Sequence, residues 1–416
     1  MLTATGGDGF YRPLTTLSLA LNGIWAGFNP VAWHATGLIV HLANSVLVMG
    51  LAWHLCSNRL APLFAAAVFA VHGTRPEAAV WISGRPDLLA AFFVLGGVLL
   101  FIHSLRPQSA GSRLLRVLSL FAMIFAILSK EVAYVFPLLL LVFLIGESDV
   151  SWRKLRLLVP FFSVAVGMFV CRLALLGGVG GYKATETGQA QALDLGLFSS
   201  IKALLVRLWA AMFFPINWSF QPGVLLAAGM IVYTVSLIVL ARAGVERRRL
   251  AFPVGFVLIS ALPPLHLLLI GPDLLKSRLL YIPSAGFCLL LALAADRLRG
   301  RLRGTVAGIV VVFNLLALAH NLHIWQFVST RSEAASVFAA MAIAPATSRM
   351  TVTGLPVDLH GVHFFGNGFP EAVEMRLGRE PVPIEIRRSL ESPAPIDGEC
   401  RLVWDQSTDE LQPAPR

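Results

Sequence analysis

The sequence predicts an all-α polytopic membrane protein, a bundle of about ten transmembrane helices with a small β-rich segment at its C-terminal end. The chain has 416 residues, of which 56% are hydrophobic and only 13% are charged, and its mean hydropathy is +0.74. A soluble protein of this size needs a polar surface that this composition cannot supply. Nearly charge-free stretches recur along the chain, and a helix needs roughly 20 apolar residues to span the hydrocarbon core.

Ten apolar stretches predict the membrane helices, in order: 34–56, 60–72, 87–104, 114–128, 132–146, 157–177, 223–241, 251–270, 280–296 and 304–320. Several are short for a full span, so we expect tilt or pairing with neighbouring helices. The stretch 198–214 differs because Lys202 and Arg207 interrupt it. This pattern predicts an interfacial or re-entrant segment.

The chain after the last apolar stretch has the composition of a soluble protein. A helix is predicted over 331–343, and short alternating runs at 350–353, 362–365 and 382–386 are typical of strands. The predicted organisation is a remnant of a first extracytoplasmic loop (1–33), a transmembrane domain (34–322), and an extracytoplasmic helix with a small β-rich domain (323–416).

Charged residues are sorted by loop. Every second loop is rich in basic residues with few acids: Arg59; Arg106, Arg113 and Arg116; Arg153, Lys154 and Arg156; Arg242 and Arg247 to Arg249; Arg297, Arg299, Arg301 and Arg303. The positive-inside rule places these loops in the cytoplasm, where they face anionic lipid. They account for most of the net charge of +10, so this charge does not indicate nucleic acid as a partner.

The N-terminal residues conflict with this orientation, because 1–33 must lie outside although no apolar segment precedes them. The start MLTATGGDG has neither the basic beginning nor the apolar core of a signal peptide. We therefore expect that a first transmembrane helix, with part of its following loop, is absent from this chain. Asp8 is then the only carboxylate before the first predicted span.

The densest group of functional side chains lies in the outer loop 72–87. Arg75 and Arg85 are suited to hold a lipid phosphate, and Trp81 is suited to stack against a sugar. The alternative is a simple connector whose charges pair within the loop, Arg75 with Glu77 and Arg85 with Asp87. Two such pairs are more than a connector between two membrane helices requires, which favours a functional role.

Two further outer groups flank apolar stretches. Arg12 precedes the first predicted span, where it either grips a phosphate or anchors the helix end at the interface. Lys130 and Glu131 break a continuous apolar run. They form either a contact to an anionic head group or a turn held by their own ion pair.

Lys276 and Arg278 lie outside against the positive-inside trend, and the alternative to a binding role is pairing with Asp273. Elsewhere the histidines lack metal-ligand spacing and the four cysteines are scattered. The sequence therefore predicts no disulfide framework, no metal site and no cofactor, and leaves a divalent cation open.

Five segments, in this order, resemble the GT-C integral-membrane glycosyltransferases: YRPLTTLSLALN, GFNPVAWHATGLIVHLANSVLV, FAVHGTRPEAAVWISGRPDLLAAFFV, LSKEVAYVFPLLLL and SRLLYIPSAGFCLLLA. They are similar to bacterial relatives of the transmembrane-and-tetratricopeptide O-mannosyltransferases, within the dolichyl-phosphate-mannose–protein mannosyltransferase group. The resemblance covers residues 10–330, and five motifs in order are fairly specific although each is degenerate alone.

The resemblance implies transfer of a sugar from a polyprenyl-phosphate-linked donor on the extracytoplasmic side of a bacterial inner membrane. The acceptor class, whether protein, envelope glycan or lipid, stays open. An acid in the first outer loop is expected to act as base on the acceptor hydroxyl, and basic residues to stabilise the leaving lipid phosphate. Two positions depart from the family: Ser277 replaces an acid before Arg278, and Gly73 stands where relatives usually have proline.

Residues and resemblance together give the candidate site. Asp8, Glu77 and Asp87 are the expected catalytic residues, and Trp81 is the expected sugar contact. The expected ligands of the lipid phosphate and donor are Arg12, Arg75, Arg85, Lys130, Lys276, Arg278 and Tyr281.

Two other functions stay open at this point. A catalytically inactive relative would bind lipid phosphate or anchor the soluble tail, and the absence of a first-loop acid pair favours it. A transporter or flippase of a lipid-linked precursor would show internal repeats and charges near the bilayer midplane. The charges of this chain cluster at one side instead.

Overall fold

A computed structural model of the protein describes residues 10–106, 111–147, 150–176, 197–344, 347–366, 368–377, 382–387 and 398–414. The chain divides into two compact units. The membrane unit consists of Met1–Ile216 and Pro222–Ala319, and the C-terminal unit consists of Asn217–Gln221 and His320–Arg416.

The helices are α1 (Pro13–Ala26), α2 (Pro30–Leu55), α3 (Leu60–Val71), α4 (Arg85–Ser104), α5 (Ser112–Ser129), α6 (Phe136–Gly146), α7 (Trp152–Arg156), α8 (Val159–Leu176), α9 (Leu197–Lys202), α10 (Leu208–Phe213), α11 (Val224–Ala241), α12 (Arg247–Ala261), α13 (Pro283–Arg297), α14 (Gly300–Ala342) and α15 (Phe369–Leu377). Short π or 3-10 turns at Pro76–Val80, Ile82–Gly84, Glu131–Val135 and Ser277–Leu280 connect some of them.

Within the described residues, six helical segments are long and apolar enough to cross a membrane: Pro30–Leu55, Ile82–Ser104, Ser112–Ser129, Trp152–Leu176, Val224–Ala241 and Gly300–Ala342. The predicted all-α membrane architecture is therefore confirmed. The other four predicted spans contain the shorter helices α3, α6, α12 and α13, of 12, 11, 15 and 15 residues. These fall below the roughly 20 residues of a full span.

Residues 1–33, predicted as a loop, contain the helix α1. Pro13 opens it, because the first helical N–H has no acceptor within the helix, and Gly27 ends it in the left-handed region with φ of 54°. The helix carries threonines, serine and asparagine among its apolar residues, and it has only 14 residues. Its hydropathy and length therefore gave no sign of a span, although its backbone forms a regular helix.

Helix α13 lies in the centre of the membrane unit and is buried along almost its whole length. It packs closely on α12 at Gly286. A Cβ atom at this position would lie 2.7 Å from the Pro253 carbonyl oxygen and 2.9 Å from the Val257 nitrogen. Only glycine permits this separation, so the sequence of α13 fixes how near the two helices approach.

Two of the arginine-rich loops meet at one end of the membrane unit. The Asp296 carboxylate, at the end of α13, accepts hydrogen bonds of 3.0 and 2.8 Å from the backbone of Ser57 and Asn58. Arg303 donates to the Ala295 carbonyl oxygen at 3.1 Å. The loop between α2 and α3 and the loop between α13 and α14 thus meet at one end of the helices.

The C-terminal unit contains a four-stranded sheet built from β1 (Arg349–Thr353), β4 (Ile384–Arg387), β5 (Glu399–Asp405) and β6 (Glu410–Pro413), with a two-stranded hairpin of β2 (Asp358–Leu359) and β3 (Val362–His363). The strand order is β4-β1-β5-β6; β1 is parallel to both neighbours, and β6 is antiparallel to β5. The predicted β-rich C-terminal segment is confirmed.

Two details of this region differ from the sequence prediction. The helix predicted at 331–343 is not a separate element but the last part of α14, which no proline or glycine interrupts after Gly308. The predicted strand at 362–365 is only the two residues of β3. Strands β5 and β6 carry charged residues at several positions and were not recognised in the sequence.

Candidate functional site

Four segments with mixed charges meet at the helix ends opposite the arginine-rich end. They are the residues before α1, the turn between α3 and α4, the turn between α5 and α6, and the segment before α13. Among the residues that the structure describes, three ion pairs join them: Arg12 with Glu131, Lys130 with Asp87, and Arg278 with Glu77. Each pair links two different segments, so the structure brings the predicted outer residues into one cluster.

Glu77 is 2% exposed and is held by the segment before α13. Its Oε1 accepts from Arg278 Nη1 at 3.0 Å, and its Oε2 accepts from the Arg278 backbone and the Ser277 hydroxyl, both at 3.1 Å. The Arg278 guanidinium also lies 4.7 Å from the centre of the Trp81 ring. Ser277, which departs from the family pattern, therefore donates to the carboxylate that orients Arg278.

The turn that carries Glu77 is tight because of Gly84. A Cβ atom at Gly84 would lie 2.4 Å from the Ala78 carbonyl oxygen and 2.8 Å from that of Glu77. The π turn Pro76–Val80 and the 3-10 turn Ile82–Gly84 can pack on each other only with glycine at this position.

Lys130 and Asp87 form the most buried pair, with Nζ 2.6 Å from Oδ1 and side chains 7% and 6% exposed. Burial lowers the pKa of Lys130, and the Asp87 charge opposes this shift. The pair joins the first turn of α4 to the turn after α5.

Arg12 grips Glu131 with two hydrogen bonds, 2.9 Å from Nε to Oε2 and 2.5 Å from Nη2 to Oε1. Burial acts to raise the pKa of Glu131, but the charge and hydrogen bonds of Arg12, together with Lys130, outweigh it and lower the pKa to about 2. The Thr15 hydroxyl adds a 2.9 Å bond to the Ser129 carbonyl oxygen. These contacts attach the N-terminal end of α1 to the turn between α5 and α6.

The alternatives that pair each charge within its own loop are wrong. Glu77 and Asp87 use cations from other segments rather than Arg75 and Arg85. Lys130 and Glu131 likewise bind partners far along the chain and not each other. Among the described residues, Lys276 forms no ion pair, so the alternative that pairs it with Asp273 is also wrong. The Asp273 carboxylate instead accepts a hydrogen bond from the Leu275 backbone nitrogen at 3.3 Å.

Arg85 is 2% exposed and binds neutral oxygen atoms. It donates to the Ser18 hydroxyl at 3.3 Å, to Asn22 Oδ1 at 3.1 Å and to the Trp33 carbonyl oxygen at 3.2 Å. Ser18 and Asn22 belong to α1, so the helix that the sequence did not reveal contributes two contacts to a predicted site residue.

Arg75 is also 2% exposed, and aromatic rings surround it. It donates to the Phe69 carbonyl oxygen at 2.6 Å and to the Ser284 hydroxyl at 2.7 Å, and it lies 4.2 Å from the centre of the Phe69 ring. The Nδ1 atom of His72 accepts a hydrogen bond from the Thr74 backbone nitrogen at 3.4 Å, so the proton of the ring lies on Nε2. Its Nε2 then donates to the Met212 carbonyl oxygen at 2.9 Å.

Tyr281, predicted to bind donor, is 1% exposed and belongs to a buried network. His41 Nε2 lies 3.0 Å from the Ala70 carbonyl oxygen and must donate to it, so His41 Nδ1 accepts from the Tyr281 hydroxyl at 2.7 Å. Asn44 donates to the same hydroxyl at 3.1 Å and bonds the Leu88 carbonyl oxygen at 3.0 Å. Through His41 and Asn44, this network connects the Tyr281 hydroxyl to α2, α3 and α4, and the Tyr281 ring flanks Arg75 at 4.9 Å.

A small crevice lies between the start of α2 and the turn before α4. Its lining includes Trp33, His34, Trp81 and Arg85. Two indole rings and one guanidinium at a single crevice are suited to a ligand that is both polar and able to stack. Asp8, the remaining predicted catalytic residue, lies outside the described residues.

The chain is similar to protein O-mannosyl-transferases. Human protein O-mannosyl-transferase TMTC4 is 25% identical over 402 residues, which cover 82% of this chain and 54% of that protein. Mouse protein O-mannosyl-transferase TMTC1 is 37% identical over 129 residues, or 29% of this chain and 14% of that protein. The resemblance predicted from the motifs is confirmed.

The chain spans about half the length of the TMTC4 proteins that it matches, 54% in both human and mouse. Among solved structures, the mycobacterial arabinofuranosyltransferase AftD is similar with a TM-score of 0.47 and 15% sequence identity, over 92% of this chain and 27% of that chain. No family model matches.

Several residues of the cluster were not found from the sequence. Ser18 and Asn22 lie on α1, His41 and Asn44 lie within α2, and Ser284 opens α13. Their only signal was polarity inside apolar stretches, where a buried polar group needs a partner. The sequence could indicate that partners exist but not which ones.

Proposed function

We propose that this chain is a membrane glycosyltransferase that transfers a sugar from a polyprenyl-phosphate-linked donor to an acceptor on the extracytoplasmic side. The observation that carries the proposal is the joining of four mixed-charge segments at one helix end by three ion pairs. The similarity to proteins named O-mannosyl-transferases supports the reaction class. The donor, the acceptor and the bacterial inner membrane as location are parts of the proposal.

The basic residues of the cluster have an electrostatic role in this proposal. When the bond between the sugar and the phosphate breaks, negative charge develops on the departing lipid phosphate. Fixed cations in a site that excludes water stabilise that charge strongly. The three ion pairs hold Arg12, Lys130 and Arg278 in place before the donor arrives, so no reorganisation is needed during the reaction.

The carboxylates divide into two kinds. A base must have a free lone pair within reach of the acceptor hydroxyl. Glu77 and Asp87 are buried and bound to cations, which suits them to orient Arg278 and Lys130. Asp8 remains the proposed base, since the resemblance assigns that role to an acid of the first outer loop.

The proposed orientation follows from the two ends of the membrane unit. Two of the arginine-rich loops, between α2 and α3 and between α13 and α14, meet at the end that contains Asp296 and Arg303, and the positive-inside rule assigns that end to the cytoplasm. The mixed-charge cluster is then extracytoplasmic. The positive-inside rule predicts few basic residues on that side, and binding of an anionic ligand accounts for their presence there.

The test uses purified full chain in proteoliposomes with polyprenyl-phosphate mannose and an envelope extract as the acceptor mixture. We expect release of polyprenyl phosphate, with Glu77→Gln, Asp87→Asn and Arg85→Ala each reducing release or donor binding. Arg153→Gln, an exposed change at the other end, serves as the control. Three variants that bind and turn over donor like the wild type would overturn the site assignment.

A non-catalytic relative that binds lipid phosphate is the second candidate function. The ion pairs of Glu77 and Asp87 favour this candidate. A cation already neutralises each of the two carboxylates, so neither is free to act as a base. In the same assay it predicts that the wild type binds donor and releases no polyprenyl phosphate. Donor turnover by the wild type would exclude it.

A further inference from the structure

Arg75 is a buried cation that lies away from the crevice. Its side chain is 2% exposed, and among the described residues it forms no ion pair. It does not belong to the crevice lining that includes Arg85. Arg75 is among the lipid-phosphate ligands expected from the sequence, yet a side chain that solvent hardly reaches is poorly placed to receive a phosphate. Its contacts indicate a different role.

Two of the three guanidinium nitrogen atoms of Arg75 already bind protein oxygen atoms. Nε donates to the Phe69 carbonyl oxygen at 2.6 Å, and Nη2 donates to the Ser284 hydroxyl at 2.7 Å. These two nitrogens form one edge of the planar fork, the kind of edge that binds a phosphate through two parallel bonds. The third nitrogen, Nη1, is buried and has no hydrogen-bond partner among the described residues. Arg75 thus uses its fork to join α3 to α13.

The surroundings of this charge are suited to arginine. The Phe69 ring centre lies 4.2 Å and the Tyr281 ring centre 4.9 Å from the Arg75 Cζ atom. A weakly hydrated guanidinium can be buried against ring faces, whereas the ammonium of lysine is strongly hydrated and loses more. Phe69 also lies in the last turn of α3, where carbonyl oxygens lack partners within the helix and attract a cation.

The Ser284 hydroxyl connects Arg75 to the segment that carries Arg278. It accepts from Arg75 and donates to the Tyr281 carbonyl oxygen at 2.7 Å. Tyr281 directly follows the 3-10 turn Ser277–Leu280, and its N–H donates to the Arg278 carbonyl oxygen at 3.0 Å. Arg75 therefore holds the C-terminal end of the turn on which Arg278 lies.

The other end of this turn is held by Glu77, two positions after Arg75. The Glu77 carboxylate accepts from the Ser277 hydroxyl, from the Arg278 backbone and from the Arg278 guanidinium. Arg75 and Glu77 belong to one short segment, so the turn is attached to that segment at both of its ends. One attachment would leave the turn able to rotate about it, whereas two attachments fix its position.

We propose that Arg75 is a positioning residue, which fixes Arg278 against Glu77 and does not itself bind the substrate phosphate. The inference rests on the proposed function, in which Arg278 stabilises the charge that develops on the departing phosphate. Catalysis by fixed charges depends on their placement, and a displacement of about 1 Å can cost about a hundredfold in rate. Loss of the Arg75 fork therefore slows the reaction more than it weakens donor binding.

The decisive variants are Arg75→Lys and Ser284→Ala. The lysine keeps the charge without the planar fork, and the alanine removes the hydroxyl that lies between Arg75 and Tyr281. The double variant should lose little beyond Arg75→Lys alone, because both changes interrupt the same contact. The matched control is Ser260→Ala, since this buried serine bonds only carbonyl oxygens of its own helix α12, at 2.6 and 3.2 Å.

Hydrogen exchange followed by mass spectrometry, with the full chain in nanodiscs, measures how firmly the turn is held. We expect the amides of 277–281 to exchange about tenfold faster in both variants than in the wild type and Ser260→Ala, and those of α5 to stay unchanged. In proteoliposomes with polyprenyl-phosphate mannose, both variants should lower kcat about ten- to hundredfold and change the donor KM by less than about threefold.

Four results would overturn the inference. Unchanged exchange at 277–281 in both variants would show that Arg75 does not hold the turn, and equally faster exchange in α5 would show a general loss of stability instead. A donor KM raised about tenfold with kcat unchanged would show that Arg75 binds the donor itself, and unchanged kcat and KM would show that its contacts do not serve the reaction. If the wild type transfers no sugar, the proposed function fails, while the exchange measurement still decides the role of Arg75.

Discussion

Lys130 Nζ lies 2.6 Å from Asp87 Oδ1, and this pair is the most buried charge contact of the cluster, with the two side chains 7% and 6% exposed. Either charge alone in such surroundings would be strongly destabilising, since burial removes its water without a substitute. The pair therefore fixes the turn after α5 against the start of α4. It joins two segments whose residues are 43 positions apart in the chain.

Removing one charge of this pair should destabilise the fold far more than replacing both charges with apolar side chains. Lys130→Met and Asp87→Leu should each lower the free energy of unfolding by about 3–5 kcal/mol, because each leaves one buried charge without its partner. The double variant should lose much less free energy of unfolding than the two single variants lose together. Denaturation of the three variants in detergent measures this coupling, and additive losses would show that the two charges do not depend on each other.

The pair of Arg12 and Glu131 should make stability depend on pH only under acid conditions. The pKa of Glu131 falls from an ordinary 4.5 to about 2 in the folded protein, so its stabilising contribution is complete above about 4.5 and is lost progressively as the pH falls towards 2. The difference in melting temperature between the wild type and Glu131→Gln should stay constant from pH 7 to 5 and shrink below. A difference in melting temperature that disappears already at pH 6 would contradict the lowered pKa of Glu131.

Gly73 should not tolerate a side chain. A Cβ atom there would lie 2.2 Å from the Pro215 carbonyl oxygen and 3.2 Å from the Ala317 Cβ, and backbone cannot move aside cheaply. Gly73→Ala should lower the free energy of unfolding by about 1–3 kcal/mol or more. Gly167→Ala in α8 is the control, because nothing lies within 4 Å of its added Cβ and alanine favours helix. Equal stability of the two variants in thermal unfolding would contradict the close packing.

The Tyr281 hydroxyl should stabilise the fold through its two bonds. Tyr281→Phe leaves His41 Nδ1 without its donor and Asn44 with one acceptor fewer, which should lower the free energy of unfolding by about 1–3 kcal/mol. Tyr134→Phe is the matched control, since in the described residues no hydrogen bond of its hydroxyl is found and the side chain is partly exposed. Unchanged unfolding of Tyr281→Phe in detergent would show that the network contributes nothing.

Much of the fold follows from hydropathy alone. Six of the predicted apolar stretches are helices long enough for a span. A long charge-free stretch that lies in lipid must satisfy its backbone hydrogen bonds internally, and a helix does so. Helix α1 was missed for the converse reason. Its threonines, serine and asparagine reduce the apolar signal, yet Thr15, Ser18 and Asn22 are the residues that bond the cluster.

The sequence by itself determined which loops carry mixed charge and which carry arginine, because loop composition is a local property. It also determined the candidate residues of the mixed-charge loops. Only the tertiary structure decided their partners. Arg75 and Glu77 are two positions apart, yet Glu77 binds Arg278 at 3.0 Å while Arg75 packs on Phe69. Ion pairs depend on distance in space, and the turn between α3 and α4 points neighbouring side chains in different directions, so sequence proximity could not predict them.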